Sequence, residues 1–242
     1  METLTRKQRE IQDREVRILK VARRMLVDGG YLGLSMDAIA AELEYSKGTI
    51  YNHFPCKEEI IIALAIQTMD KRTDMFQRAA SLQADSRQRL SAIGVASELF
   101  VRLYPDHFSV EQLIRAASIW DKTSGKRQQT MHLAESRCMS IAAGVVRDGT
   151  ARGDLELPEG MSPEGLVFGL WSLTFGAYSI IATSDGLQDH GLLDPYRTIR
   201  QQMNLTLDGY GWTPSSAEYD YMALFERQMA EVFPDEYRQI NL

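Results

Sequence analysis

The stretch that decides the fold reads SKGTIYNHF and runs from Ser46 to Phe54. Ser46 stands where a helix N-cap is expected, because its hydroxyl can accept a hydrogen bond from a free backbone N–H of the first helical turn. Pro55 follows the stretch and ends a helix that begins at Lys47. The sequence therefore predicts a short helix over residues 47–53.

A second short helix is predicted just before this one. Ser35 is a suitable N-cap for a helix over Met36–Leu43, and a tight turn at residues 44–45 separates the two helices. Two short helices joined by a tight turn form the helix-turn-helix layout. A longer helix comes before the pair and ends at a glycine signal near Gly30, and another begins near Lys57 and runs to about Ala80.

The spacing within the stretch separates a buried face from an exposed one. Ile50 and Phe54 lie four residues apart, so both can face Ile39 and Leu43 of the preceding helix. Gly48 removes a side chain near the helix N-terminus and allows the backbone to approach a ligand closely. The residues left for the outer surface are small or planar hydrogen-bonding groups suited to base edges and phosphates: Lys47, Thr49, Tyr51, Asn52 and His53.

Helical patterns also fill the rest of the 242 residues, so an all-α protein is predicted. The longer helices are expected at roughly 86–104, 108–121, 125–151, 163–183, 195–208 and 216–233. We expect a helix-turn-helix DNA-binding domain over residues 1–56 and a larger helical effector-binding and dimerisation domain over residues 57–242. Two cysteines, Cys56 and Cys138, are too few for a disulfide framework or a four-thiolate zinc site.

The charge changes sign near the same boundary. Residues 1–57 hold 10 Lys or Arg and 8 Asp or Glu, whereas the whole chain has 27 and 33 and a net charge of −6. A uniformly basic nucleic-acid binder is excluded, but a local basic face is not. No apolar leader follows the N-terminus, so a cytoplasmic protein is expected.

Residues 11–60 resemble the DNA-binding domain of the TetR family of bacterial transcriptional regulators. The residues that carry this resemblance are Ile18, Leu19, Ala22, Gly30, Tyr31, Ser35, Ile39, Ala40, the stretch Ser46–Phe54, Lys57 and Glu58. The resemblance implies a homodimer whose two recognition helices enter successive major grooves of a palindromic operator. It also implies an all-helical C-terminal domain that dimerises and holds a small-molecule inducer.

By position, the resemblance implies base or groove-edge contacts for Lys47, Thr49 and Asn52. It implies phosphate contacts for a second set, namely Ser35, Tyr51, His53 and Lys57. At the turn, the sequence departs from the family, since Leu43 and Glu44 replace a small residue and a glycine, and Tyr45 replaces a small β-branched residue. A left-handed backbone is therefore expected at Glu44.

An uncharged run from Gly165 to Ala182 is about as long as the shortest membrane spans. Its serines and threonine favour a core helix buried on all sides. One face carries small residues that form a candidate dimer interface with the 195–208 or 216–233 helix: Gly165, Gly169, Ser172 and Gly176. A second face carries four aromatic residues: Phe168, Trp171, Phe175 and Tyr178. This face could pack in the core, form a dimer interface or line an effector pocket, and the sequence does not decide between these roles.

An effector pocket is expected among the helices at 86–104, 108–121, 125–151 and 163–183. Besides the aromatic face, the candidate lining residues are Phe100, Tyr104, His107, Trp120, His132 and Cys138. His132 and Glu135 lie three apart on a helix, but two ligands do not define a metal site, and an ordinary ion pair or solvated face is the more common arrangement.

The sequence is compatible with three functional hypotheses. A ligand-responsive repressor of the TetR type is the main hypothesis, with double-stranded DNA, a small molecule and a second copy of the chain as partners. A DNA-binding architectural protein without a ligand is the alternative. An all-helical enzyme would need an acid, base and nucleophile at telling spacings, and the sequence shows neither such a set nor a phosphate loop or cofactor motif.

Overall fold

The computed structural model describes residues 5–115 and 117–240, and these residues form helices and connecting turns without a β-strand. The prediction of an all-α fold is confirmed. The helices of this part of the chain are α1 Arg6–Gly33, α2 Met36–Glu42, α3 Lys47–His53, α4 Lys57–Ala80, α5 Ser86–Leu103, α6 Pro105–Leu113, α7 Ala117–Trp120, α8 Gly125–Arg152, α9 Pro163–Thr183, α10 Pro195–Gly209, α11 Tyr221–Val232 and α12 Pro234–Ile240.

The described residues divide into two compact units. The first comprises the chain up to Met69 together with Asp106–Ala134, and the second comprises Asp70–Pro105 and the chain from Glu135 onward. The helix α4 begins in the first unit and continues into the second. The division into functional domains at residues 56 and 57 stays a prediction, because these units describe packing rather than activity.

The helix-turn-helix pair lies in the first unit, around a core that the sequence anticipated. Ile39, Ile50 and Phe54 are fully buried, and Leu43 packs against them. Buried aliphatic residues from α1 and α4 complete this core, among them Ile18 and the run from Ile60 to Leu64. Burial of such side chains stabilises the fold by about 1.5–3 kcal/mol each.

The turn between α2 and α3 has the predicted backbone. Glu44 has a φ of 55°, in the left-handed region that disfavours a residue with a Cβ. The turn is closed by a hydrogen bond from the Tyr45 N–H to the Ala40 carbonyl oxygen, at 2.9 Å. The local strain at Glu44 is therefore offset by a satisfied turn and by the helix core beneath it.

Four helix boundaries differ from the sequence expectation. The helix α1 kinks at Gly30 (φ 59°) and continues to Gly33. The helix predicted at 108–121 is two helices, α6 and α7, and the Trp120 indole N–H donates to the Ile114 carbonyl oxygen that the break leaves free. The helix predicted from 216 starts at Tyr221 because the Asp220 carboxylate caps it, and α12 follows it as a separate helix.

In the second unit, a buried arginine ties the C-terminal segment to α5. Arg87 is fully buried, and its guanidinium lies 2.7 Å from the Asp208 carboxylate. It also donates to the backbone carbonyl oxygens of Trp212 and Pro214. The Trp212 side chain is itself fully buried and donates its indole N–H to the Ser86 hydroxyl. The helices α11 and α12 pack on α5 beside this anchor.

The helix α9 corrects the prediction of a helix buried on all sides. Its buried residues are Leu166, Val167, Leu170 and Tyr178, and 22% of its most apolar window is buried. Phe168 and Ile180 are 57% and 56% exposed. The helix is long and apolar enough to cross a membrane, which for one such helix is weak evidence. The helix α9 therefore leaves an apolar face exposed in the single chain.

Candidate nucleic-acid interface

The helix α3 is held at its first turn by its own cap. The Ser46 side chain accepts a hydrogen bond from the Thr49 N–H at 3.1 Å, and the two hydroxyl oxygens lie 2.8 Å apart. Gly48 is exposed, and a Cβ there would have the Ser46 hydroxyl as its nearest neighbour, at 3.8 Å. The N-terminal turn of α3 is thus rigid, open and free of bulky side chains.

The outer face of α3 presents most of the predicted DNA-binding residues. Lys47, Gly48, Tyr51 and Asn52 are exposed, with Tyr51 at 47%. Thr49 is half-buried because it takes part in the cap. The structure thus brings these residues together on one short surface.

Lys47 is already engaged by a carboxylate of α2. Its Nζ lies 2.6 Å from the Asp37 carboxylate, and this hydrogen bond raises the pKa of the Lys47 ammonium. Both side chains are more than half exposed, so the pair is weak and easily exchanged. A phosphate or a base acceptor can therefore replace Asp37 as the partner of Lys47 at little cost.

His53 differs from the other predicted contacts because its side chain is only 9% exposed. Its Nδ1 lies 3.5 Å from the Glu15 carboxylate of α1. This geometry favours a role in holding α1 against the end of α3 over a direct phosphate contact, which stays a prediction.

The two remaining predicted phosphate contacts lie at helix starts. Ser35 is exposed and caps α2, where its hydroxyl accepts from the Ala38 N–H at 3.4 Å. Lys57 opens α4, donates to the Tyr31 carbonyl oxygen at 3.0 Å and lies 3.8 Å from the centre of the Tyr31 ring. Its ammonium therefore connects the start of α4 to the end of α1.

Two buried carboxylates at the start of α4 form a cluster that the sequence did not reveal. Glu58 accepts hydrogen bonds from the Tyr31 hydroxyl at 2.5 Å and from the Lys122 ammonium at 3.2 Å. Burial acts to raise the pKa of Glu58, but these hydrogen bonds outweigh it and lower the pKa to about 2. Glu59 accepts from the Ser124 N–H at 2.6 Å and from Arg127 at 3.0 Å.

The predicted effector residues fall into several separate groups. In the first unit, Trp120 stacks on His132 with ring centres 5.4 Å apart, and His107 lies 2.9 Å from the Thr68 hydroxyl. In the second unit, Phe100 and Tyr104 meet edge to face at 5.7 Å. Contacts also link Phe168 to Trp171 and Trp171 to Phe175, each at 5.9 Å, and Cys138 is buried.

A cleft in the second unit lies between α5, α9, α10 and α11. Its cavity volume is about 40 Å³, room for a few water molecules, and the wider space of about 490 Å³ includes open solvent. Tyr178 is the predicted effector residue that lines it, and burial raises the pKa of its hydroxyl. The sequence missed Arg87 and Arg200 as lining residues. The Nε of Arg87 is buried and has no hydrogen-bond partner among the described residues.

The predicted dimer residues lie on the uncovered side of α9. Gly165, Gly169 and Ser172 are exposed, and Gly176 is half-buried. A Cβ added at Gly169 or Gly176 would meet no atom within 4 Å. The neighbouring α10 exposes Leu205 at 61%.

Two capped short helices with an exposed polar face on the second define a helix-turn-helix DNA-binding fold. A family model described as "Bacterial regulatory proteins, tetR family" matches residues 18–64, so this part of the chain is similar to the TetR family. The transcriptional regulator UidR of Escherichia coli is 36% identical over 70 residues. That match covers 29% of this chain and 36% of the length of UidR.

Two solved structures share the fold over most of the chain. One is a putative transcriptional regulator from Saccharomonospora viridis in complex with choline, with a TM-score of 0.63 and 23% identity, covering 81% of this chain and 96% of that one. The other is FadR from Bacillus subtilis in complex with stearoyl-CoA, with a TM-score of 0.60 and 17% identity, covering 78% and 96%. Both similarities show the fold.

Proposed function

We propose that the protein is a sequence-specific transcriptional regulator that inserts α3 into the major groove of duplex DNA. The observation that carries this proposal is the exposed face of α3, where Lys47, Tyr51 and Asn52 surround an open glycine backbone. An Asn side chain can bind an adenine edge with two hydrogen bonds, and a Lys can bind a guanine edge or a phosphate.

The proposed regulator acts as a homodimer through the apolar face of α9 and the adjoining surface of α10. Support comes from the exposed Phe168, Ile180 and Leu205, which a soluble monomer would leave in water. A two-fold contact repeats the same surface on both copies, and the small side chains of α9 allow close approach of an equivalent helix. Such a dimer carries two copies of α3, one for each half-site of a palindromic operator.

A small-molecule effector is proposed to bind the second unit, in the cleft lined by Tyr178 and Arg87. The surface that the cleft exposes is mostly apolar, and Arg87, Arg200 and Asn204 are among the polar residues that line it. The choline and stearoyl-CoA complexes of the two structural neighbours support a small-molecule effector without naming this one. Binding would shift α4, which continues from one unit into the other, and release the operator from a cytoplasmic repressor.

The DNA proposal is tested by selecting a site from random duplexes and then measuring binding of variants. Asn52→Ala is expected to weaken the selected site by about 1–3 kcal/mol and leave random DNA unaffected. Lys57→Ala is expected to weaken all DNA and flatten the salt dependence. Lys126→Ala, an exposed change outside α3, is the control. The proposal fails if the wild-type protein selects no sequence at low salt.

The effector proposal has its own test. A library of small molecules is screened by thermal shift, and each hit is repeated on Leu90→Trp, which would fill the cleft. Hits that stabilise both proteins equally bind elsewhere and contradict the assignment. Reduced affinity for the selected DNA in the presence of a hit is the expected functional outcome, because binding of two ligands to one protein is reciprocally coupled.

A further inference from the structure

The N-terminal two thirds of α1 concentrate positive charge. The segment from Arg6 to Arg24 contains eight Lys or Arg and three Asp or Glu, an excess of five positive charges. The whole chain has 27 and 33, which leaves 19 and 30 elsewhere, an excess of eleven negative charges. The strongest local positive charge of the first unit therefore lies beside α3 rather than within it.

The beginning of this segment has no buried residue whose packing would explain the charge. Residues 5–14 are all exposed, and the first buried residue of the helix is Ile18. Five of the exposed cations have no ion pair with any residue in the described part of the chain: Lys7, Arg9, Arg14, Arg17 and Lys20. Their ammonium and guanidinium groups are available to an external anion.

The charge distribution in the first turn of α1 is electrostatically unfavourable. It holds Arg6, Lys7 and Arg9 and no acidic residue, although a helix N-terminus is the positive end of the helix dipole. Thr5 and Gln8 nevertheless cap the turn, with Gln8 accepting from the Thr5 N–H at 2.8 Å. A capped helix whose charges oppose its dipole is the kind of local conflict that a bound polyanion relieves.

The location of the segment indicates which polyanion it binds. Glu15 contacts His53 at the last residue of α3, so α1 crosses the end of the recognition helix there. The nine residues from Glu15 back to Arg6 extend the helix by about 13 Å, roughly four phosphate steps along one DNA strand. A duplex bound by α3 therefore has its backbone within reach of these side chains.

We propose that residues 6–20 of α1 form a second DNA-binding surface, which binds the phosphates flanking the bases read by α3. This inference rests on the proposed function and extends the bound site outward. Lys7, Arg14 and Arg17, which share one side of the helix, are the phosphate contacts, and none of them reads a base. The surface adds affinity for any sequence and lengthens the duplex that the protein requires.

The test compares two charge-matched triple variants of the full chain. The first is Lys7→Gln, Arg14→Gln and Arg17→Gln, which keeps good helix formers in α1. The control is Lys126→Gln, Arg152→Gln and Arg238→Gln, three exposed cations outside α1. Affinity for a random duplex of about 30 bp is measured by fluorescence anisotropy between about 50 and 200 mM salt.

In a plot of log affinity against log salt, the slope of the α1 variant is expected to be shallower by about 0.9 per phosphate contact, roughly 2.7 for three contacts. Between about 50 and 200 mM salt, the fold-loss of affinity should therefore be roughly 40 times smaller for the variant than for the wild type. The control is expected to keep the wild-type slope. On the selected site, removing the flanking base pairs should weaken the wild-type protein and leave the α1 variant unchanged.

Equal slopes for the α1 variant and the wild type would overturn this inference and leave the proposed function intact. Absence of DNA binding by the wild type would overturn the proposed function itself. Loss of the dimer in sedimentation of the α1 variant would show that the segment binds the acidic surface of a second copy, and would also overturn the inference. Helix content by circular dichroism confirms that the variant is folded.

Discussion

The Lys122 ammonium lies 3.2 Å from the Glu58 carboxylate, although 64 residues separate the two in the sequence. The same carboxylate oxygen accepts the Tyr31 hydroxyl at the end of α1. Glu58 follows the residue that opens α4, a few positions after the recognition helix. One carboxylate thus joins the end of α1, the start of α4 and the loop before α8 within the first unit.

Lys122→Met is expected to raise the pKa of Glu58 from about 2 toward its ordinary value of 4.5. In the wild-type protein, the lowered pKa contributes stability above pH 4.5 that is lost as the pH falls toward 2. The variant should lose this stability at a higher pH. At neutral pH its free energy of unfolding should fall only slightly, because Lys122 is exposed and solvent screens its ion pair with Glu58.

Urea unfolding between pH 2.5 and 7 (a range of about five pH units) checks this expectation. Lys126→Met, four residues along the same loop and helix start, is the matched control and should keep the wild-type profile. If both variants follow the same pH profile, Lys122 does not hold the Glu58 pKa down.

Glu44→Gly is expected to stabilise the protein by about 0.5–1 kcal/mol. Glu44 has a φ of 55°, and removing its Cβ relieves strain that exceeds the entropy a glycine adds to the unfolded chain. Ala41→Gly, an exposed position inside α2, is the control and should destabilise by about 1 kcal/mol. Thermal unfolding measures both. A decrease for Glu44→Gly would mean that the Glu44 side chain has a stabilising contact.

Much of the first unit could be predicted because its signals are local. Ser35 and Ser46 cap the helices that the sequence assigned to them, and the i, i+4 spacing of Ile50 and Phe54 identified the buried face. Each of these features depends on residues within about one turn of helix. Local chemistry of this kind is visible in a single sequence.

What the sequence could not predict depends on distant partners. Nothing near Glu58 indicates Lys122, and nothing near Arg87 indicates the carbonyl groups around Trp212. The burial of α9 could not be predicted for a related reason. An apolar helix has the same sequence pattern whether residues of its own chain or another surface cover it. His53 is held by Glu15, 38 residues away, which its polar neighbours did not suggest.

Arg87→Met is expected to destabilise the second unit by about 3–5 kcal/mol. The substitution removes a fully buried guanidinium, which is the cation facing the Asp208 carboxylate and a donor to the carbonyl oxygens of Trp212 and Pro214. Arg152→Met, at an exposed position, should change stability by less than about 0.5 kcal/mol. Urea unfolding followed by tryptophan fluorescence reports the loss, because Trp212 lies in this anchor. Similar stabilities for the two variants would contradict the anchoring role of Arg87.

Gly169→Leu is expected to prevent self-association without unfolding the chain. A Cβ at Gly169 meets no atom within 4 Å in the single chain, so the larger side chain costs the protomer little. In the proposed dimer, the same position lies where two α9 helices approach closely, and a leucine there would hold them apart. Sedimentation velocity should show a dimer for the wild type and a monomer for the variant.

Gly125→Leu, at an open position in the first unit, is the control for this substitution and should remain dimeric. The comparison also separates dimerisation from DNA reading. A monomeric Gly169→Leu protein keeps an intact α3 and should bind a single half-site weakly, but it should lose the preference for two half-sites at a fixed spacing. A dimeric Gly169→Leu protein would instead place the interface on another surface and leave the exposed apolar face of α9 to a different partner.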